Sequence, residues 1–203
     1  METKLARVIS YFFHPLLIPL YILLFLLNVN TFFSPGLDFS FKLILLGVIF
    51  LTTILFPLMI IFLLYKKKLV RSLFLESREE RIYPILIIAI FYYLTYYLMK
   101  GIRISPVFSY YMLGATFLAI LALIITFYRK ISLHMLGIGG MSGLILGLAF
   151  NLSLNMVYFL LPAIFVSGIT GFARLKLNSH KPSEIYSGFL VGAVIMFFLF
   201  FLI

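Results

Sequence analysis

The stretch FKLILLGVIFLTTILFPLMIIFLLYKKK, residues 41–68, carries no charged side chain between Leu43 and Tyr65 and then ends on three consecutive lysines. An α-helix rises about 1.5 Å per residue, so about 20 apolar residues cross the hydrocarbon core of a bilayer. Residues 41–65 are long enough to do so. Lys66, Lys67 and Lys68 read as an interfacial anchor that attracts anionic lipid. The pattern recurs along the chain. Apolar segments at 8–28, 41–65, 84–100, 106–128, 134–150, 155–172 and 184–203 predict an all-α, polytopic transmembrane bundle of six or seven membrane segments. The first segment is the exceptional one. His14-Pro15 and Pro19 interrupt a helix there, so it is expected to be kinked, tilted or re-entrant.

Composition points the same way. Hydrophobic residues make up 64% of the chain and charged ones 11%, with a mean hydropathy of +1.20. A soluble domain of this size needs far more polar surface. A single integral membrane domain over residues 1–203 is expected, with no soluble module. No small-residue cleavage site follows the first segment, so it is read as retained rather than as a signal peptide. The chain has no cysteine, which excludes disulfides and thiolate metal sites.

The formal net charge is +10. Loops joining alternate segments fall on two faces. One face collects Lys4, Arg7, Lys66, Lys67, Lys68, Arg71, Arg78, Arg81, Arg129, Lys130, Arg174, Lys176 and Lys181, which is 13 of the 16 basic residues; Lys42, Lys100 and Arg103 remain for the other. Cytoplasmic loops carry the Lys/Arg excess. The basic face is therefore expected in the cytoplasm and the protein in the cell (inner) membrane. Membrane lipids account for the charge, and no nucleic-acid partner is needed.

Three basic-face segments carry more than charge: ESREERIYP (76–84), RKISLHMLGIGG (129–140) and ARLKLNSHKPSEIYSG (173–188). Arg and Lys bind phosphate oxygens, Arg through a planar fork. A neutral imidazole attacks phosphorus, and a second protonates a leaving oxygen. Pro182 suits the first turn of a helix, and Glu184, four residues after His180, is placed to reach back to it and fix its tautomer. The glycines GIGGMSG (137–143) offer helix-terminal N–H groups to an anion. The pairs Gly143/Gly147 and Gly188/Gly192 also have the spacing of close helix packing in lipid. Plainer roles exist beside these. His180 and Glu184 suit a structural pair at a helix start, and His134 a helix mouth. His14 suits helix packing, Lys176 and Lys181 suit loop charges, and Glu76, Glu79 and Glu80 suit an exposed interfacial turn.

Arg174, His180 and Glu184, spaced as R-x5-H-x3-E, resemble the third motif of the type 2 phosphatidic acid phosphatase superfamily, SRxxxxxHxxxD. Lys130-Ile131-Ser132-Leu133-His134 resembles its second motif, PSGH. Arg78 to Pro84 stands nearest its first, KxxxxxxRP, with Arg78 and Arg81 both open as the motif arginine. Ala173, Glu184, Ile131 and Leu133 stand where the motifs have serine, aspartate, proline and glycine. The resemblance covers about 70–190. It implies a helical membrane phosphatase, a phosphoric monoester or diphosphate hydrolase. Its substrate would be a lipid phosphate or polyprenyl (di)phosphate, cleaved without metal or other cofactor. By position His180 would form a phosphohistidine, Glu184 would orient it, and His134 would protonate the leaving group. Arg174, Lys130, Ser132, Arg81 and Arg78 would hold the phosphate. The alternative is a catalytically inactive relative that binds or moves a phosphorylated lipid.

Overall fold

The computed structural model describes residues 2–29, 33, 36–68, 78–153 and 155–202, and of Glu2 and Arg78 only the backbone. Every regular element among them is helical: α1 (Glu2–Phe12), a 3₁₀ turn (Pro15–Leu17), α2 (Ile18–Asn28), α3 (Phe39–Ile49), a π-helical segment (Phe50–Leu55), α4 (Phe56–Lys66), α5 (Arg78–Lys100), α6 (Pro106–Tyr128), α7 (Leu133–Asn151), α8 (Val157–Lys176) and α9 (Pro182–Phe201). Seven helical stretches are long and apolar enough to cross a membrane: Thr3–Asn28, Phe39–Lys66, Glu79–Lys100, Pro106–Tyr128, Leu133–Asn151, Val157–Lys176 and Pro182–Phe201. They coincide with the seven segments read from hydropathy. The chain is an all-α, multi-pass membrane protein. Its exposed large side chains, among them Phe62, Leu63, Phe127, Phe165 and Leu190, are apolar because their solvent is lipid.

Two compact units divide the chain: Met1–Ile18 with Tyr128–Ile203, and Pro19–Phe127. In the second, the stretch that opened the sequence forms one long helix with a widened middle. Pro57 brings no N–H to the carbonyl of Thr53, and the turns just before it take π geometry from Phe50 to Leu55. Thr52 and Thr53 donate their hydroxyls to the carbonyls of Val48 and Ile49, at 2.7 and 2.8 Å. Thr95 of α5 meets Thr52 across the helix interface, with 2.8 Å between the hydroxyl oxygens. Met112, Leu45 and Ile49 are fully buried in this unit.

The first unit is built on α7 and α9. The amide of Ser132 donates to the carbonyl of Glu184 at 3.2 Å, and Asn151 Nδ2 donates to the carbonyl of Phe201 at 3.0 Å. Positions therefore rise together along both helices, which run parallel. Glycine makes this contact possible. A Cβ on Gly143 would stand 2.1 Å from the carbonyl oxygen of Ala193, and one on Gly192 would stand 2.1 Å from that of Leu136. Gly139 faces Phe189 and Gly188 faces Ser132 in the same way. This is backbone-to-backbone packing of the small-xxx-small kind, here with an extended set of glycines. It corrects the expectation that the glycines after His134 present N–H groups to an anion. Gly137, Gly139 and Gly140 lie in the body of α7, where their amides serve the helix. Gly137 packs on Ile18. The central window of α7 is 67% buried against 28% for α8 and α9, so α7 is the core of this unit.

Parallel α7 and α9 require α8 to run back between them in sequence. The N-termini of α7 and α9 and the C-terminus of α8 therefore share one end of the unit. The break in the first span joins them there.

Candidate functional site

α1 ends at Phe12. The amides of Phe13 and His14 turn back to Ile9 and Tyr11, so the carbonyl of Ser10 is left without its helical partner. His134, in the first turn of α7, fills that vacancy with an Nε2···O distance of 3.0 Å. A carbonyl only accepts, so Nε2 carries the proton and, in the neutral ring, Nδ1 carries the lone pair. His14 then caps the 3₁₀ turn: its Nδ1 accepts from the amide of Leu16 at 3.3 Å. The rings of His14 and His134 meet edge to face, 5.5 Å between centroids.

The third imidazole lies at the start of α9. Lys181 is the N-cap, Pro182 opens the helix with its missing N–H at no cost, and Glu184 occupies the third helical position. From there the carboxylate oxygen Oε2 accepts from the Lys181 amide at 3.3 Å, as in a capping box, and meets His180 Nδ1 at 2.7 Å. The side chains of His180 and Glu184 are 2% and 17% exposed, so the pair is shielded more on its imidazole side. The carboxylate fixes the His180 proton on Nδ1. In the neutral ring Nε2 then holds the lone pair.

Arg174, in the last turn of α8, lies within electrostatic range of both His14 and His134, and His134 lies within range of His180. Lys130 is likewise within range of Glu184. The first unit thus has His134, His180, Glu184, Arg174, Lys130 and Ser132 at one end. Arg81 is buried near the start of α5 in the other unit. Arg78 opens the same helix, and its side chain lies outside the described residues, as do Arg71 and Glu76.

Two parallel helices direct their positive ends to this cluster. Ser132, the N-cap of α7, makes no side-chain capping bond, and its buried hydroxyl has no hydrogen-bond partner among the described residues. The hydroxyls of Ser10 on α1 and of Thr170, one turn before Arg174 on α8, are also buried without a partner among the described residues. An N-cap serine ordinarily bonds an amide of the first turn, and a membrane-embedded hydroxyl ordinarily finds a carbonyl. These three do neither among the described residues, and they stand on or next to the elements that carry the arginine and the histidines.

The chain matches no family model, no curated protein and no solved structure. What the site does is therefore argued from its own chemistry. Arg174, Lys130 and the uncapped N-terminus of α7 are groups of the kind that bind an anion, and the cluster adds a carboxylate-oriented imidazole and a second imidazole whose Nε2 is held by a carbonyl. Among the described residues no three His, Asp or Glu side chains are placed to hold a metal ion.

The sequence did not show that His14 and the Ser10 carbonyl meet His134. The only local sign of His14 was an imidazole beside a proline inside an apolar run. Nothing local marks Ser10, whose carbonyl reaches His134 because α1 ends just beyond it. An apolar groove of about 250 Å³ lies at the opposite end of this unit, between Leu146 and Phe150 of α7 and Val157 and Leu160 of α8. It is remote from the histidines.

Proposed function

We propose that this protein is a membrane phosphatase. It cleaves a lipid phosphate or polyprenyl (di)phosphate through a phosphohistidine on His180, without a metal. The observation that carries the reading is the 2.7 Å contact of His180 Nδ1 with Glu184, at a helix N-terminus and in a basic cluster. Support also comes from the order of the motif-like residues along the chain.

The chemistry follows from the tautomers. Substrate phosphate binds at Arg174 and Lys130 with the uncapped first turn of α7 and the Ser132 hydroxyl. His180 Nε2 attacks phosphorus while the bond from phosphorus to the lipid oxygen breaks. The leaving oxygen takes a proton from protonated His134 at Nδ1, the ring atom that Ser10 does not engage. Glu184 stabilises the positive charge that grows on the His180 ring. In the second step His134 Nδ1 removes a proton from water, and the resulting oxygen attacks phosphorus. The phosphorus–nitrogen bond breaks, inorganic phosphate leaves, and both histidines return to their starting states. We place the site on the cytoplasmic face of the cell membrane, on the Lys/Arg asymmetry between the two sets of loops.

The deciding experiment is inorganic phosphate release by the detergent-purified protein from a panel of lipid phosphates and polyprenyl diphosphates, with no metal added. Release by the native protein that is lost in His180→Ala and reduced at least about a hundredfold in Glu184→Gln supports the enzyme. Headgroup binding without release, in a folded protein, would replace it with the inactive relative that binds or moves a phosphorylated lipid. Leu133, where the motif has glycine, favours that second reading, because its side chain narrows the approach to the first turn of α7.

A further inference from the structure

We propose that His14 is a further phosphate-contacting residue of this site, donating its Nε2–H to an oxygen of the bound phosphoryl group. The inference rests on the phosphate-site reading and extends it to a residue that no motif marks.

The tautomers of the neighbouring rings are opposite. His14 Nδ1 accepts from the Leu16 amide, so the neutral ring carries its proton on Nε2. His134 donates its Nε2–H to the Ser10 carbonyl, so in the neutral ring its Nδ1 holds the lone pair. No other hydrogen bond engages either ring among the described residues. With centroids 5.5 Å apart, the pair sets a donor, His14 Nε2–H, beside a proton-exchanging atom, His134 Nδ1, which gives a proton to the leaving oxygen and, once neutral, takes one from water. That is the complement of a phosphoryl group undergoing transfer. Its non-bridging oxygens accept hydrogen bonds, while its leaving oxygen or the incoming water exchanges a proton. Arg174 places positive charge within range of both rings, which favours an anion at the same point.

Capping does not explain the ring. Ser, Thr, Asn and Asp cap helical turns well and bring less bulk. An imidazole within an apolar membrane segment is costly, and such residues mark functional positions. His14 is also placed by the same helix break that frees the Ser10 carbonyl for His134. One local feature, His14-Pro15, thus sets the tautomer of one histidine and the position of another.

The test separates the cap from the contact. His14→Asn keeps an acceptor for the Leu16 amide and removes the ring; His14→Ala removes both. Binding of inorganic phosphate and of a short-chain lipid phosphate would be measured calorimetrically on the full-length protein in detergent, with thermal melts alongside. The proposal expects His14→Asn to melt like the native protein yet bind both probes about tenfold or more weakly, as loss of a hydrogen bond to a charged group implies. His14→Ala should show the same affinity loss and melt lower. Native-like binding of both probes by His14→Asn would overturn the proposal alone, leaving His14 as a cap. Weaker binding of the lipid probe only would also overturn it, since the contact would then lie outside the phosphoryl group that the probes share. Failure of the native protein to bind either probe would overturn this inference together with the phosphate-site reading.

Discussion

The two units treat buried hydroxyl groups in opposite ways. In the unit formed by Pro19–Phe127, Thr52, Thr53, Thr116 and Thr126 each donate to the carbonyl four residues earlier. Ser109 donates to Pro106, and Thr95 meets both Thr52 and the Phe91 carbonyl. A hydroxyl that donates to its own helix has no proton left to give an anion. In the other unit, Ser142 and Ser167 do the same in mid-helix. Ser10, Ser132 and Thr170, at the end where the histidines gather, do not. Unmade hydrogen bonds in an apolar medium are unfavourable. These three hydroxyls fall in the unit to which the proposed function assigns the site. The packing differs too. Glycines bring the backbones of α7 and α9 together, whereas the second unit fills its interior with Leu45, Ile49, Phe108 and Met112.

The sharpest break in this comparison would come from the histidine. His180→Ala should lower phosphate release at least about a thousandfold with the helical content retained, because no other imidazole is paired with a carboxylate among the described residues. Thr95→Val, in the second unit, should leave release within about twofold. Activity assays paired with circular dichroism would check both, and comparable losses in the two variants would erase the functional distinction between the units.

A smaller but still large effect should follow from packing. Gly143→Ala and Gly192→Ala each place a methyl group against a backbone carbonyl of the facing helix, so a helix backbone must shift. Each should cost about 1–3 kcal/mol or more. A Cβ on Gly47 meets nothing within 4 Å, so Gly47→Ala should be neutral or raise stability by up to about 1 kcal/mol through helix propensity. Melting in detergent would report the contrast. Equal melting temperatures for Gly143→Ala and Gly47→Ala would mean that α7 and α9 are not in backbone contact.

The finest test uses the hydroxyls themselves. Thr95→Val removes satisfied hydrogen bonds and should destabilise by about 1 kcal/mol. Thr170→Val removes a hydroxyl with no partner and should leave the melting temperature unchanged or slightly raised. It should also weaken phosphate binding, which Thr95→Val should not. The reverse order of stabilities would show that Thr170 is satisfied in the native protein.

Much of this was legible in the residues. Apolar length and the placement of lysines gave all seven spans, since a bilayer demands only that a long helix hide its backbone and show lipid an apolar surface. His14-Pro15 gave the break in the first span. Glu184 four residues after His180, behind Pro182, gave their contact, because i and i+4 share a face at a helix start. These are local rules, read within one or two turns of chain. The roles of the glycines were less clear: G-x-x-x-G spacing told of close packing, but not that Gly139 belongs to it rather than to an anion site.

What the linear chain alone determined, then, is the membrane class, the spans and the His180–Glu184 pair, each a consequence of local geometry. Only the tertiary structure set His14 against His134 and paired the Ser10 carbonyl with His134 Nε2. It also left the hydroxyls of Ser10, Ser132 and Thr170 unpartnered among the described residues. These relations join residues more than a hundred positions apart. They depend on how closely α7 and α9 approach and on where α1 stops, and no periodicity within a single segment encodes either.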